Sequence, residues 1–287
     1  MTQPIVAVLT ALPLEYTAVR EHLTGAQKQE HPRYGTLATV GRLSDTPWRV
    51  ALLELGEGNL TAATLTERIM SWLEPEAVFF VGVAGGLKPD IGLGDVVVAT
   101  KLYGIHGGKE TDKEFLVRPE AWRASHRLEQ AAREALRGDP HVHLKPIAAG
   151  DVVLASARSA LAEHLRTHYG DAAAIEMEGA GIASAVHLAG GDALVIRGIS
   201  DKADARKSRA DAGGSQPRAA ANAAAAAMAV LRELRPFRAR SGTSDHGSDD
   251  SEERPFRGST YAGDHLDFRG STFNGPFVAK RVERGDR

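Results

Sequence analysis

Four short apolar runs rich in β-branched residues punctuate this chain: Ile5 to Leu9 (IVAVL), Val78 to Val83 (VFFVGV), Val96 to Thr100 (VVVAT) and Ala193 to Ile199 (ALVIRGI). Runs of this length without polar alternation suit strands buried on both faces. The segments between them carry helical character, as in LTAATLTERIMSWL after Asn59 and the alanine-rich stretch from about Pro217 to Leu234. That alternation points to the α/β class. Leu37 to Val40 and Trp48 to Leu53 add a hairpin or meander, Glu120 to Leu136 reads as a helix with one apolar face, and His141 to Ile147 as a further strand. With 287 residues, 43% of them hydrophobic, one large domain has ample material for its core.

Open α/β sheets gather ligands outside the carboxyl ends of their strands, so the residues that follow the apolar runs are the candidates for chemistry. Glu15 follows the first run and opens a helix (EYTAVREHL), Ser200 and Asp201 follow the last, and Glu178 lies where a strand gives way to the small-residue helix GAGIASAVHLAG. The segment from Ile175 to Ala203 thus aims two carboxylates at one crevice, and Glu15 adds a third. Ala84-Gly85-Gly86 forms a turn whose N–H groups can face an anion or a polar ligand. Three carboxylates in one pocket repel, so at least one should keep a proton near neutral pH. Cleavage of an N-glycosidic bond uses that division of labour: an acid for the leaving base, a base to activate water, and a negative group beside the sugar. No Asp-x-Asp or His-x-His spacing accompanies these residues, and neither a metal nor another cofactor is expected.

The net charge of −2 supplies no global basic field, which argues against nucleic acid or an anionic membrane as partner. Cysteine is absent, which removes thiolate nucleophiles and disulfides together. The N-terminal stretch carries neither a basic leader nor a long apolar run, so a cytoplasmic protein is expected. From Lys101 to Arg118 the chain is polar and cationic, with His106, Lys109, Lys113 and Arg118 in what reads as a long loop. Beyond Pro236 the composition shifts. Residues 1–236 read as the catalytic domain, 237–254 as a flexible linker, and 255–287 as a short tail with β character. The tail repeats FRGSTY (256–261) as FRGSTF (268–273), and it is expected to dock on a subunit or another protein.

Taken in order and spacing, TALPLE, VGVAGGL, GLGDVVVA, IEMEGAG and VIRGISDKAD resemble the nucleoside phosphorylase superfamily, and within it the methylthioadenosine/S-adenosylhomocysteine nucleosidase branch. The resemblance covers about Ile5 to Leu234. It implies a three-layer α/β/α sandwich around a mixed, partly barrel-like sheet, and a homo-oligomer, usually a dimer. Carried over by position, Glu15 matches the base that activates water, Asp201 the acid that protonates N7 of the purine, and Glu178 the residue that holds the ribose hydroxyls. Met177 matches a residue under the ribose, Ser200 a partner of Asp201, Val83-Ala84-Gly85 the turn beside the water, and Val153 the base-binding main chain. Two departures stand out: no aromatic residue accompanies Val153, and Val83 replaces a commonly hydroxylated residue. The cationic stretch is similar instead to nucleosidase domains of bacterial signalling and antiphage defence proteins. If it faces the ribose 5′ position, His106, Lys109 and Arg118 could bind a phosphorylated substrate such as AMP or ATP. The expected activity is hydrolytic release of adenine from an adenosine-type nucleoside or nucleotide. A phosphate-dependent phosphorylase and a nucleotide sensor acting through its tail are the alternatives.

Overall fold

The computed structural model describes residues 3–204 and 213–237; most of the 237–254 linker and the whole repeated tail lie outside the described residues. The apolar runs form β1 (Ile5–Thr10), β5 (Val78–Gly86), β6 (Val96–Gly104) and β12 (Ala193–Asp201). β3 (Leu37–Leu43) and β4 (Arg49–Glu54) make the expected antiparallel pair, and β2 (Leu23–Glu30) extends it at the edge. β10 (Val142–Ala149) and β11 (Ala174–Glu176) continue the sheet in the order β11-β10-β6-β12-β5-β1-β4-β3-β2. β11 also pairs with β5, so five strands close into a ring at one end of an otherwise open sheet. The sheet is mixed: β1, β4, β5 and β12 pair in parallel, whereas β12 runs antiparallel to β6.

Helices cover both faces. α1 (Pro13–Arg20), α3 (His126–Ala135) and α6 (Ser215–Glu233) pack on one, and α2 (Asn59–Leu73) and α5 (Gly179–Leu188) on the other, giving the expected three layers. The alanine content of α6 has a packing cause. At Gly198 of β12 a Cβ would lie 1.9 Å from the carbonyl oxygen of Ala219, so helix backbone rests directly on strand backbone, and small residues permit that approach. A further helix, α4 (Ala160–His168), covers the region around Tyr169.

Three expected elements differ. Ala84-Gly85-Gly86 is not a turn: it ends β5, paired with β11 and β12. The stretch from Glu120 is not one helix: β9 (Glu120–Arg123) pairs with β6, placing Trp122 over Gly104, and the helix begins only at His126. Nor is Lys101 to Arg118 a structureless loop. Its first four residues finish β6, and β7 (Gly108–Glu110) and β8 (Phe115–Val117) form a hairpin. No helix among the described residues is long and apolar enough to cross a membrane.

Candidate active site

β1, β5 and β12 run in parallel and deliver their carboxyl ends to one edge, where a cleft of about 200 Å³ opens. Glu15, Glu178, Asp201, Met177, Ser200, Val83, Ala84, Gly85 and Val153 all line it. Pro13 sets the first turn of α1 and brings Glu15 back over the end of β1. Its Oε2 accepts the N–H groups of Ala11 (2.8 Å) and Leu12 (3.0 Å), and Oε1 that of Val83 (2.7 Å). The register between β12 and β5 shifts between Ile199 and Asp201, and this bulge re-aims the strand end. Asp201 Oδ1 accepts the Ala203 N–H at 2.7 Å while Ser200 Oγ donates to Oδ2 at 3.1 Å. Glu178 is the N-cap residue of α5, and its Oε1 accepts the Gly58 N–H at 3.1 Å.

Beneath the cleft lies a residue that the sequence reading passed over. Arg197, wholly buried in β12, points its guanidinium among three carboxylates: Glu176, which accepts its Nη2–H, Glu178 (3.8 Å) and Glu15 (3.9 Å). The same group lies 3.6 Å over the centre of the Phe80 ring. Gly82 of β5 leaves the space for this contact, because a Cβ there would fall 2.1 Å from Arg197 Nη1 and 2.3 Å from Glu15 Oε1. Glu176 also accepts the N–H of Gly179, which caps α5 beside Glu178. The signal was present in the sequence, since an arginine within an otherwise apolar buried run demands buried acidic partners.

Burial raises the proton affinity of two of these acids. Glu178 is pushed up to about 7, chiefly by burial and against the pull of Arg197. Burial also raises Glu15, opposed by Arg197 and by its three backbone donors. The cleft therefore holds one carboxyl, Glu178, able to exchange a proton near neutral pH, which is a condition for acid–base chemistry.

The cationic stretch takes a different place. Within this chain His106, Lys109 and Arg118 are not among the residues lining the cleft; the His106 Nε2 instead accepts the Asp151 N–H at 2.9 Å, just behind the wall formed by Val152, Val153 and Leu154. A His-x-His spacing does occur, at His141 and His143, but both rings bond Asp95, at 2.9 and 3.0 Å, outside that lining. Among the described residues no group of three or more His, Asp or Glu side chains is arranged to hold a metal ion.

Residues 5–232 match the Phosphorylase superfamily. The chain is 28% identical over 207 residues to a 5′-methylthioadenosine/S-adenosylhomocysteine nucleosidase of Chromohalobacter salexigens, covering 68% of this chain and 83% of that protein. It is also 28% identical over 243 residues to the ATP nucleosidase Cap17 of Escherichia coli, covering 71% of this chain but 47% of that protein. Among solved structures, the 5′-methylthioadenosine/S-adenosylhomocysteine nucleosidase of S. pneumoniae, bound to the transition-state inhibitor MT-ImmA, superimposes with a TM-score of 0.71 at 26% identity, over 80% of this chain and 100% of that one.

Proposed function

Because the chain belongs to the Phosphorylase superfamily, we propose that it is a hydrolytic purine nucleosidase that cleaves the N-glycosidic bond of an adenosine-type substrate and releases adenine. In this reading Glu15 activates water, Asp201, oriented by Ser200, protonates the departing base at N7, and Glu178 holds the ribose hydroxyls over Met177. Main chain at Val153 meets the base, and Val83, Ala84 and Gly85 border the water. Proton transfers of this kind contribute roughly 10² to 10⁴ in rate.

The observation that carries water rather than phosphate as nucleophile is the setting of Glu15. The backbone donors of Ala11, Leu12 and Val83 are taken by its own carboxylate. A phosphate ion at this place would meet a negative charge and no vacant amide among these three.

Among the described residues the cleft is lined by Glu15, Glu57, Glu176, Glu178 and Asp201 and by no lysine or arginine. A neutral 5′ substituent such as a thioether suits that lining. Nucleotides are the second reading, favoured by the similarity to the ATP nucleosidase Cap17. The sequence between Asp204 and Gly213 carries Arg206, Lys207 and Arg209, and joins stretches whose Ala203 and Gln216 line the cleft. A role in antiphage defence belongs to this second reading. The proposal includes a cytoplasmic homo-oligomer, supported by the exposed apolar side chains Leu60 (83%), Val152 (51%) and Val153 (55%), and a protein partner for the 255–287 tail, supported by its repeat.

Purified protein in phosphate-free buffer, given methylthioadenosine, S-adenosylhomocysteine, adenosine, AMP and ATP separately, tests the reading by chromatography of released base. Adenine from the first three selects the thioether or nucleoside form, adenine from AMP or ATP selects the nucleotide form, and no adenine from any refutes the proposal.

A further inference from the structure

The first residue of α2 is bonded to more of the cleft's framework than any role assigned so far requires. Asn59 Oδ1 accepts the N–H of Gly181 in the first turn of α5, at 2.9 Å, and so satisfies a helix-end donor from outside the helix. Its Nδ2 donates to Asp151 Oδ1 at 2.8 Å, and its own N–H reaches the same oxygen at 3.4 Å. The preceding residue, Gly58, sits at φ 99°, a conformation that favours glycine, and in it donates its N–H to Glu178 Oε1 at 3.1 Å. α5 and the start of α2 touch backbone to backbone: a Cβ at Gly181 would fall 2.1 Å from the Asn59 carbonyl oxygen. On its far side Asp151 is held by His106, and a Cβ on Gly150 would lie 2.5 Å from that ring's Nε2.

One amide side chain therefore ties the helix that begins with Glu178 to the segment that continues into Val152, Val153 and Leu154. We propose that Asn59 is a positioning residue of this site: it touches no substrate, but fixes the ribose-holding Glu178 and the base-side wall relative to each other. The role needs a donor and an acceptor on one short side chain. Alanine leaves both the Gly181 N–H and Asp151 without this partner. Aspartate keeps an acceptor for Gly181 but sets a second carboxylate against Asp151.

The link to Glu178 has its own readout. Burial raises the proton affinity of Glu178, with Glu176 and Glu15 adding to it and Arg197 and the Gly58 N–H opposing it. Freeing the start of α2 withdraws the Gly58 donor, so the carboxyl should titrate at higher pH. The inference rests on the nucleosidase reading, in which Glu178 acts ionised and kcat/KM rises with pH as it loses its proton.

The experiment compares full-length wild type, Asn59→Ala, Asn59→Asp and Asp151→Ala between pH 5.5 and 9, following adenine release from whichever of methylthioadenosine, S-adenosylhomocysteine, adenosine, AMP and ATP the wild type cleaves. Glu178 is titrated in parallel by NMR on glutamate-labelled protein. For Asn59→Ala the acid limb of kcat/KM and the Glu178 titration should both move up by about half a pH unit or more, with KM raised about tenfold. Asn59→Asp should return the limb toward wild type while KM stays high, and Asp151→Ala should raise KM with the limb in place. An unmoved Glu178 titration in Asn59→Ala overturns the inference, as does an Asp151→Ala variant that shifts the limb equally. Should Asn59→Ala not fold, Asn59→Asp against Asp151→Ala decides: Asn59→Asp must raise KM, and a wild-type KM overturns the inference. Wild type that releases no base defeats the nucleosidase reading instead, and the NMR titration then still judges Asn59.

Discussion

Replacing Glu178 by glutamine should make the protein more stable above neutral pH while it damages the site. The carboxyl rises from 4.5 to about 7 in the folded chain. Between those values the native state holds a proton that the unfolded chain has released, so unfolding gives up a proton and stability falls as pH rises. The stability is fully present below about 4.5 and fully lost above about 7. At 1.36 kcal/mol per pH unit the loss is about 3 kcal/mol. Glutamine resembles the protonated acid and does not titrate, and its amide oxygen can still accept the Gly58 N–H. Thermal melts of wild type and Glu178→Gln at pH 5 and pH 8 isolate the effect, because groups remote from Glu178 titrate alike in both proteins. The two should melt alike near pH 5, and the variant should gain about 6 °C or more at pH 8 for a domain of this size. Parallel pH dependences of Tm would refute the burial argument.

Asp201→Asn should lower kcat by about 10³-fold with little change in melting temperature, since the amide oxygen still accepts the Ala203 N–H; near-normal turnover in a steady-state assay would remove Asp201 as the acid. Gly82→Ala drives a methyl between Arg197 and Glu15, so denaturant titration should show a loss of about 1–3 kcal/mol and turnover should fall with it. Arg197→Met leaves three buried carboxylates without their cation, and should destabilise by about 3–5 kcal/mol at pH 8 but less at pH 5, where Glu178 is protonated; calorimetry at the two values checks the order.

The sheet and the cleft were legible because their signals are local. Apolar runs bounded by glycine turns mark the central strands, and the acidic residues directly after them mark the edge where the site forms. The elements that escaped depend on distant partners. β2 (LTGAQKQE) has no alternating apolar face because it is an edge strand exposed along most of its length. β9 carries a helix-like pattern that its pairing with β6 overrides. Arg197 was in plain view within VIRGIS, yet its three acidic partners come from α1 and from both sides of the β11–α5 junction, and only the fold brings them together. His106 drew attention through the positive charge around it, whereas its structural part is as a neutral acceptor for the Asp151 N–H. Asn59 gave no signal, because a polar residue at a helix start is ordinarily a local cap.

In the proposed reaction water, activated at Glu15, takes the sugar from the purine. Reaction of methylthioadenosine, or of AMP or ATP if a nucleotide proves to be the substrate, in phosphate-free H2¹⁸O tests it most directly, with mass spectrometry of the sugar product. The sugar should carry one ¹⁸O at the anomeric carbon, with equimolar adenine and a rate unchanged by added phosphate. A sugar 1-phosphate that forms only when phosphate is supplied would contradict it.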